Sequence, residues 1–132
     1  MNELQAAQLA SLELLNELRV GMGLSPLQYA TDLNDFATNW SYHMSDNVFE
    51  HSPREDRIAL LDGINRTLVG ENIAFTSNTS LSPEAAAARL HNLWVNSPGH
   101  YANMTRSNYT SVGIGFWNGP GGWYATHVFY FN

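Results

Sequence analysis

The chain has 132 residues, of which 44% are hydrophobic and 12% aromatic, and its formal net charge is −6. That length suits one domain around one core, residues 1–132, and that composition excludes a disordered segment. All six basic residues are arginines and they form no stripe, so the electrostatic footprint of nucleic-acid binding is missing. No cysteine occurs, which excludes thiolate catalysis, thiolate zinc sites and disulfides.

Leu4, Ala7, Leu15 and Leu18 recur at helical spacing with Leu12 alongside, so Glu3 to Arg19 is predicted as a helix, stopped by Gly21 and Gly23. Pro26 disfavours helix at Ser25 and makes Leu24 to Leu27 an extended connector. A second helix is expected from Thr31 or Asp32, either one capping it, with Leu33, Phe36, Ala37, Trp40 and Met44 as its buried stripe. Asp46 to Val69 reads as polar and irregular, with one short helix from Pro53 to Leu61. Ser82-Pro83-Glu84 supplies an N-cap, a proline at the first helical position and an acid near the positive helix end. The third helix then runs to about Ser97, and another short one follows Pro98.

The carboxy-terminal part reads as strand. Val112, Ile114 and Phe116 alternate with Gly113, Gly115 and Trp117. Asn118 to Gly122 is a hairpin loop, and Trp123 to Phe131 returns as a second strand. Helices first and an antiparallel sheet later make the fold class α+β, with helices on both faces of a mainly antiparallel sheet. No apolar run approaches the roughly 20 residues of a membrane span. Met1 to Ala10 shows neither a basic n-region nor an apolar h-region, so no signal peptide is expected there.

Three residues stand out as carriers of chemistry. His51 lies in the non-helical stretch Phe49 to Pro53 after a well-anchored helix, and loops held by rigid elements are where sites concentrate. Glu71 is an acid set among Val69, Ile73, Ala74 and Phe75, a candidate for burial and hence a carboxylate in need of a partner. His100 follows Pro98-Gly99, which turn the chain and fix where the imidazole points. Each has a structural alternative, such as a carboxylate accepting backbone N–H groups, and none has the local spacing of a metal motif. His43 and His91 sit in predicted helices without a polar partner motif and read as structural or solvated.

Leu14 to Arg19 with Gly23 to Leu27, Phe49 to Ser52, Gly70 to Ala74, Trp94 to Met104, and Val112 to Gly115 with Tyr124 to Phe129 form an ordered set of motifs. Together they resemble those of the CAP superfamily (cysteine-rich secretory proteins, antigen 5, pathogenesis-related 1), also called SCP-like extracellular domains, in its short bacterial form. Leu14 to Arg19 with Gly23 to Leu27 resembles the family's opening helix and the turn after it. Phe49-Glu50-His51-Ser52 resembles its first-histidine motif, and Gly70-Glu71-Asn72-Ile73-Ala74 matches its GENIA motif. Trp94 to Met104 resembles the bacterial W.NSPGH..N motif. Val112 to Gly115 and Tyr124 to Phe129 resemble the two closing strands.

The resemblance implies a three-layer α-β-α sandwich with a cleft that many members line with two histidines and two glutamates, some binding zinc. His51 and Glu71 match that set. Ser97 stands where the second glutamate is expected and Tyr124 where the later histidine is expected, with His100 occupying the space of the missing groups. Strand alternation puts Thr126 on the side of Tyr124 and His127 on the other, which makes His127 structural.

His51, Glu71 and His100 are thus the candidate catalytic cluster, and Asn72, Ser97 and Tyr124 the candidate ligand-binding residues. Some family members bind lipids or other proteins, and the family has no agreed common reaction. The expected function is therefore a secreted recognition module without turnover, for a cell-surface, lipid or peptide ligand and requiring no cofactor, rather than a purely structural domain whose polar cluster stabilises the fold. It is expected to be monomeric, with no nucleic-acid partner and no membrane span. The alternative is a hydrolase of peptides or cell-wall material, assisted by Zn²⁺ or another divalent ion on His51 and His100.

Overall fold

Helix α1 (Glu3–Gly21) begins with a reciprocal cap, in which Asn2 Oδ1 accepts from Gln5 N at 2.8 Å and Gln5 Oε1 accepts from Asn2 N at 3.1 Å. It ends two residues later than the periodicity suggests, at a turn where Gly23 takes φ 79° and Leu24 N donates to Arg19 O. The computed structural model describes residues 2–60 and 67–131, with side chains given for all of these except 67–69.

The other elements are β1 (Gln28–Tyr29), α2 (Thr31–Asp46), α3 (Arg54–Ala59), β2 (Thr67–Thr76), α4 (Pro83–Val95), α5 (Pro98–Met104), β3 (Ser111–Gly119) and β4 (Gly122–Phe131). The sheet order is β1-β3-β4-β2; β1 runs parallel to β3, and the other pairs are antiparallel. Helices α1 and α4 pack together on one face and α2 covers the other, giving the expected α+β three-layer sandwich.

The two faces differ for a reason written in β3. Val112, Ile114 and Phe116 are fully buried against α1 and α4. Gly113 and Gly115 alternate with them, and α2 lies directly on that glycine track. A Cβ on Gly115 would stand 2.0 Å from Thr38 N, and one on Gly113 would stand 2.4 Å from Leu33 Cβ. This close approach lets Asn34 Oδ1 accept from Ile114 N at 2.8 Å, while Ser41 Oγ donates to Gly115 O at 3.0 Å.

Three local expectations change. Helix α2 is preceded by Ala30 and has no side-chain cap, so neither Thr31 nor Asp32 plays that part. Its buried stripe is Leu33, Asn34, Ala37, Ser41 and Met44, leaving Phe36 and Trp40 half-buried, because the glycine track accepts small polar groups where large rings would not fit. The hairpin loop shrinks to Pro120-Gly121, since Gly119 and Gly122 already pair. The short helix expected over 53–61 forms as α3, and Leu61 lies outside the described residues.

Candidate functional site

The loop that carries His51 is fixed at both ends. Trp40 Nε1 donates to Glu50 O at 3.0 Å, holding the loop to α2. On the other side, Ser52 is buried against Glu71 of the edge strand β2. Glu71 Oε1 accepts from Ser52 N at 3.0 Å and Oε2 accepts from Ser52 Oγ at 2.6 Å. Arg57 of α3 reaches Ser52 O, Ser52 Oγ at 2.7 Å and Glu71 Oε1 at 3.3 Å. His51 Nδ1 completes the set at 2.8 Å from Glu71 Oε1.

This arrangement assigns different tasks to the two residues. The Glu71 side chain is 2% exposed and both its oxygens are occupied, whereas that of His51 is 58% exposed. Glu71 therefore orients His51, in the way that a carboxylate fixes the ring of a working histidine. Arg57 and Ser52 belong to this cluster and were not singled out by sequence reasoning. The only cue was the sequence Ser52-Pro53 followed by Arg57 one helical turn later.

His100 is positioned from a different direction. Ser97 opens α5 without capping its backbone, and the Ser97 hydroxyl instead meets His100 Nδ1 at 2.8 Å. Asn72 Nδ2 donates to His100 O at 3.1 Å, while Asn72 Oδ1 accepts from Asn103 Nδ2 at 2.9 Å. Asn72, expected among the ligand-binding residues, is thus fully buried and spends its amide on latching α5 to β2. Burial, and secondarily the charge of His51, holds His100 below the ordinary imidazole pKa. Among the described residues neither His51 Nε2 nor His100 Nε2 makes a hydrogen bond.

Ser97 and His100 are the polar residues lining an open, shallow cavity of about 250 Å³, whose other lining residues are Phe49, Ile73, Ala74, Phe75, Leu93 and Trp94. His51 is not part of that lining. Tyr124 is joined to it indirectly, stacking on Phe75 at 5.4 Å between centroids, while Phe75 meets Phe49 edge-on at 4.9 Å.

His127 is on the opposite face of β4 from Tyr124 and Thr126, as alternation requires. Its Nε2 lies 2.8 Å from Ser11 Oγ of α1 and its ring packs 4.3 Å from Trp94. Thr126 bonds Ser41 of α2 at 2.8 Å. Complete burial pushes the pKa of His127 down to about 3, with His91 adding to the shift. His43 is exposed and stacks on Trp40 at 4.6 Å, away from the cluster.

The donor set does not form a metal cage. Among the described residues no group of three or more His, Cys, Asp or Glu side chains is arranged to hold an ion. Glu71 is committed to Ser52, Arg57 and His51, and two imidazoles fall short of the three protein ligands usual at a catalytic zinc.

Comparison with known proteins places this geometry in a family. The model described as the cysteine-rich secretory protein family (CAP) matches residues 12–132. The chain is 35% identical over 112 residues to YkwD of Bacillus subtilis (strain 168), covering 80% of this chain and 40% of that protein. An extracellular, SCP-domain protein of Bacillus anthracis superposes with a TM-score of 0.74 at 25% identity, over 96% of this chain and 41% of that one. NaASP2, solved with Zn²⁺, has the same fold at a TM-score of 0.78 and 18% identity, over 97% of this chain and 81% of that one. The chain spans about two fifths of the length of the two Bacillus proteins. It belongs to the CAP family of cysteine-rich secretory proteins.

Proposed function

We propose that this CAP domain is a secreted recognition module that seats a small apolar part of a lipid, peptide or cell-surface ligand beside His51, Glu71 and His100. The observation that carries the reading is the cavity itself, apolar on its walls and polar only where Ser97 and His100 meet it. A mostly apolar pocket with a few convergent polar groups is the usual form of a ligand site. Phe49 and Phe75 of its lining are both more than two fifths exposed, and Tyr124 extends their row. Secretion is supported by the extracellular nature of the Bacillus anthracis relative, and no helix among the described residues is long and apolar enough to cross a membrane.

The test is a titration of the chain with short-chain fatty acids and N-acetylated apolar dipeptides, read by tryptophan fluorescence and by NMR shifts. Shifts confined to Ile73, Phe75, Leu93 and His100, unchanged by chelator and abolished in Leu93→Glu, are expected. Shifts that map to another surface, or none with either class, would overturn the reading.

The second reading, a metal-assisted hydrolase, is favoured by the two imidazole Nε2 atoms that lack partners among the described residues. It requires one zinc per purified chain by elemental analysis, lost in both His51→Ala and His100→Ala.

A further inference from the structure

We propose that Ser97 and His100 act as a nucleophile–base pair, taking an acyl group from a small neutral ester whose acyl chain occupies the apolar cavity. The proposal rests on that cavity being the ligand site and goes beyond binding to chemistry. It begins with an unused cap. A serine preceding a helix ordinarily accepts a backbone N–H of the first turn. Ser97 makes no such bond, and its hydroxyl is 2.8 Å from His100 Nδ1, within the range a base needs to take the proton.

The surroundings suit this chemistry. Asn72 holds the backbone of His100, so the ring is presented from a fixed point on β2. With the ring protonated on Nε2, His100 Nδ1 is the acceptor 2.8 Å from the Ser97 hydroxyl. Both residues line the same cavity, and among the described residues no Arg, Lys, Asp or Glu lines it, which suits an uncharged acyl group. Its apolar lining by Ile73, Ala74, Phe75, Leu93 and Trp94 suits a short acyl chain.

The steps balance with water as the only co-reactant. Ser97 Oγ forms a bond to the ester carbonyl carbon as its proton moves to His100 Nδ1. The tetrahedral adduct expels the alkoxide, which takes that proton and leaves as the alcohol, with the acyl group on Ser97. Water then attacks the acyl carbon, giving one proton to His100 Nδ1. The Ser97 oxygen leaves and recovers that proton, releasing the carboxylic acid. Among the described residues no carboxylate orients His100 through Nε2, unlike the third member of a hydrolytic triad, so slow turnover and a detectable covalent species are expected.

The test is therefore an adduct. A fluorophosphonate probe forms an Oγ–P bond as fluoride leaves, and intact mass with peptide mapping is expected to show one adduct, on Ser97. Ser97→Ala should lose it, and His100→Gln should label more slowly by roughly a hundredfold. p-Nitrophenyl butyrate should compete with labelling of the unmodified chain, an outcome that does not depend on how either variant folds. An unlabelled folded chain, an adduct elsewhere, or labelling indifferent to the ester overturns the proposal. Reversible binding of a short ester without any adduct overturns the acyl transfer and leaves the recognition reading standing.

Discussion

Glu71 holds His51 by a 2.8 Å contact to Nδ1 while serving Ser52 and Arg57 with the same carboxylate, so one buried acid anchors a loop and aims an imidazole. The dependence runs one way, since His51 is largely exposed and Glu71 is not. Glu71→Gln replaces an acceptor with an amide that must present N–H groups to donors. Because the guanidinium of Arg57 then loses a buried partner, a destabilisation of about 3 kcal/mol is expected. Urea unfolding should show a lower midpoint with an unchanged slope. His51→Gln, altering the exposed end, should cost less than about 1 kcal/mol.

Acid sensitivity should come chiefly from His127. Its folded pKa of about 3 lies below the ordinary 6.5, so the unfolded chain binds the extra proton first as the pH falls. The stability due to a neutral His127 is thus fully present above about pH 6.5 and is lost as the pH drops towards 3. Integrated over that window the loss approaches about 5 kcal/mol as an upper bound. His91 and His100, also lowered by burial, add with the same sign. Midpoints measured between pH 7 and 4 should fall steadily, and His127→Gln, which keeps a polar partner for Ser11 but does not titrate, should flatten the slope.

Two glycines offer a matched pair of alanine substitutions. At Gly115 the added methyl would stand 2.0 Å from the backbone of α2, so that helix must lift off the sheet. Gly115→Ala should cost more than about 3 kcal/mol or prevent folding, as expected for overpacking against backbone. At Gly99, inside α5, the methyl meets nothing within 4 Å. Gly99→Ala should be neutral or stabilising by up to about 1 kcal/mol, since alanine restricts the unfolded chain. Thermal unfolding of the two variants side by side tests whether contact, rather than loss of glycine, decides the outcome.

What the sequence made legible follows from local signals. Ser82-Pro83 placed the start of α4, and the alternation in Val112 to Phe116 placed β3. Helix α2 was found by its apolar spacing, but its polar contacts were not, because the pairing of Ser41 with Gly115 and Thr126 joins residues more than 70 positions apart. Strand β2 lacks clean alternation because it is gripped on both sides: Glu71 turns to Ser52 and Asn72 to His100. Its acid was nevertheless identified, since a carboxylate among apolar neighbours must find a partner. Which partners it found depended on Arg57, whose spacing carries no motif.

The latch between β2 and α5 gives the last prediction. Asn72 is fully buried and bonds both His100 O and Asn103, and no other side chain described here joins those two elements by two hydrogen bonds. Asn72→Ala removes both bonds and leaves the Asn103 amide without its acceptor, for an expected cost of about 2 kcal/mol. The loss should centre on α5, which is short and is held to β2 through Asn72. Amide exchange should therefore accelerate across Pro98–Met104 with little change in α1. His100 should also lose its fixed approach to the cavity, so any ligand or acylating probe that reads Ser97 should weaken more than global stability does. Equal acceleration throughout the molecule would show instead that Asn72 supports the whole core and is no latch for α5.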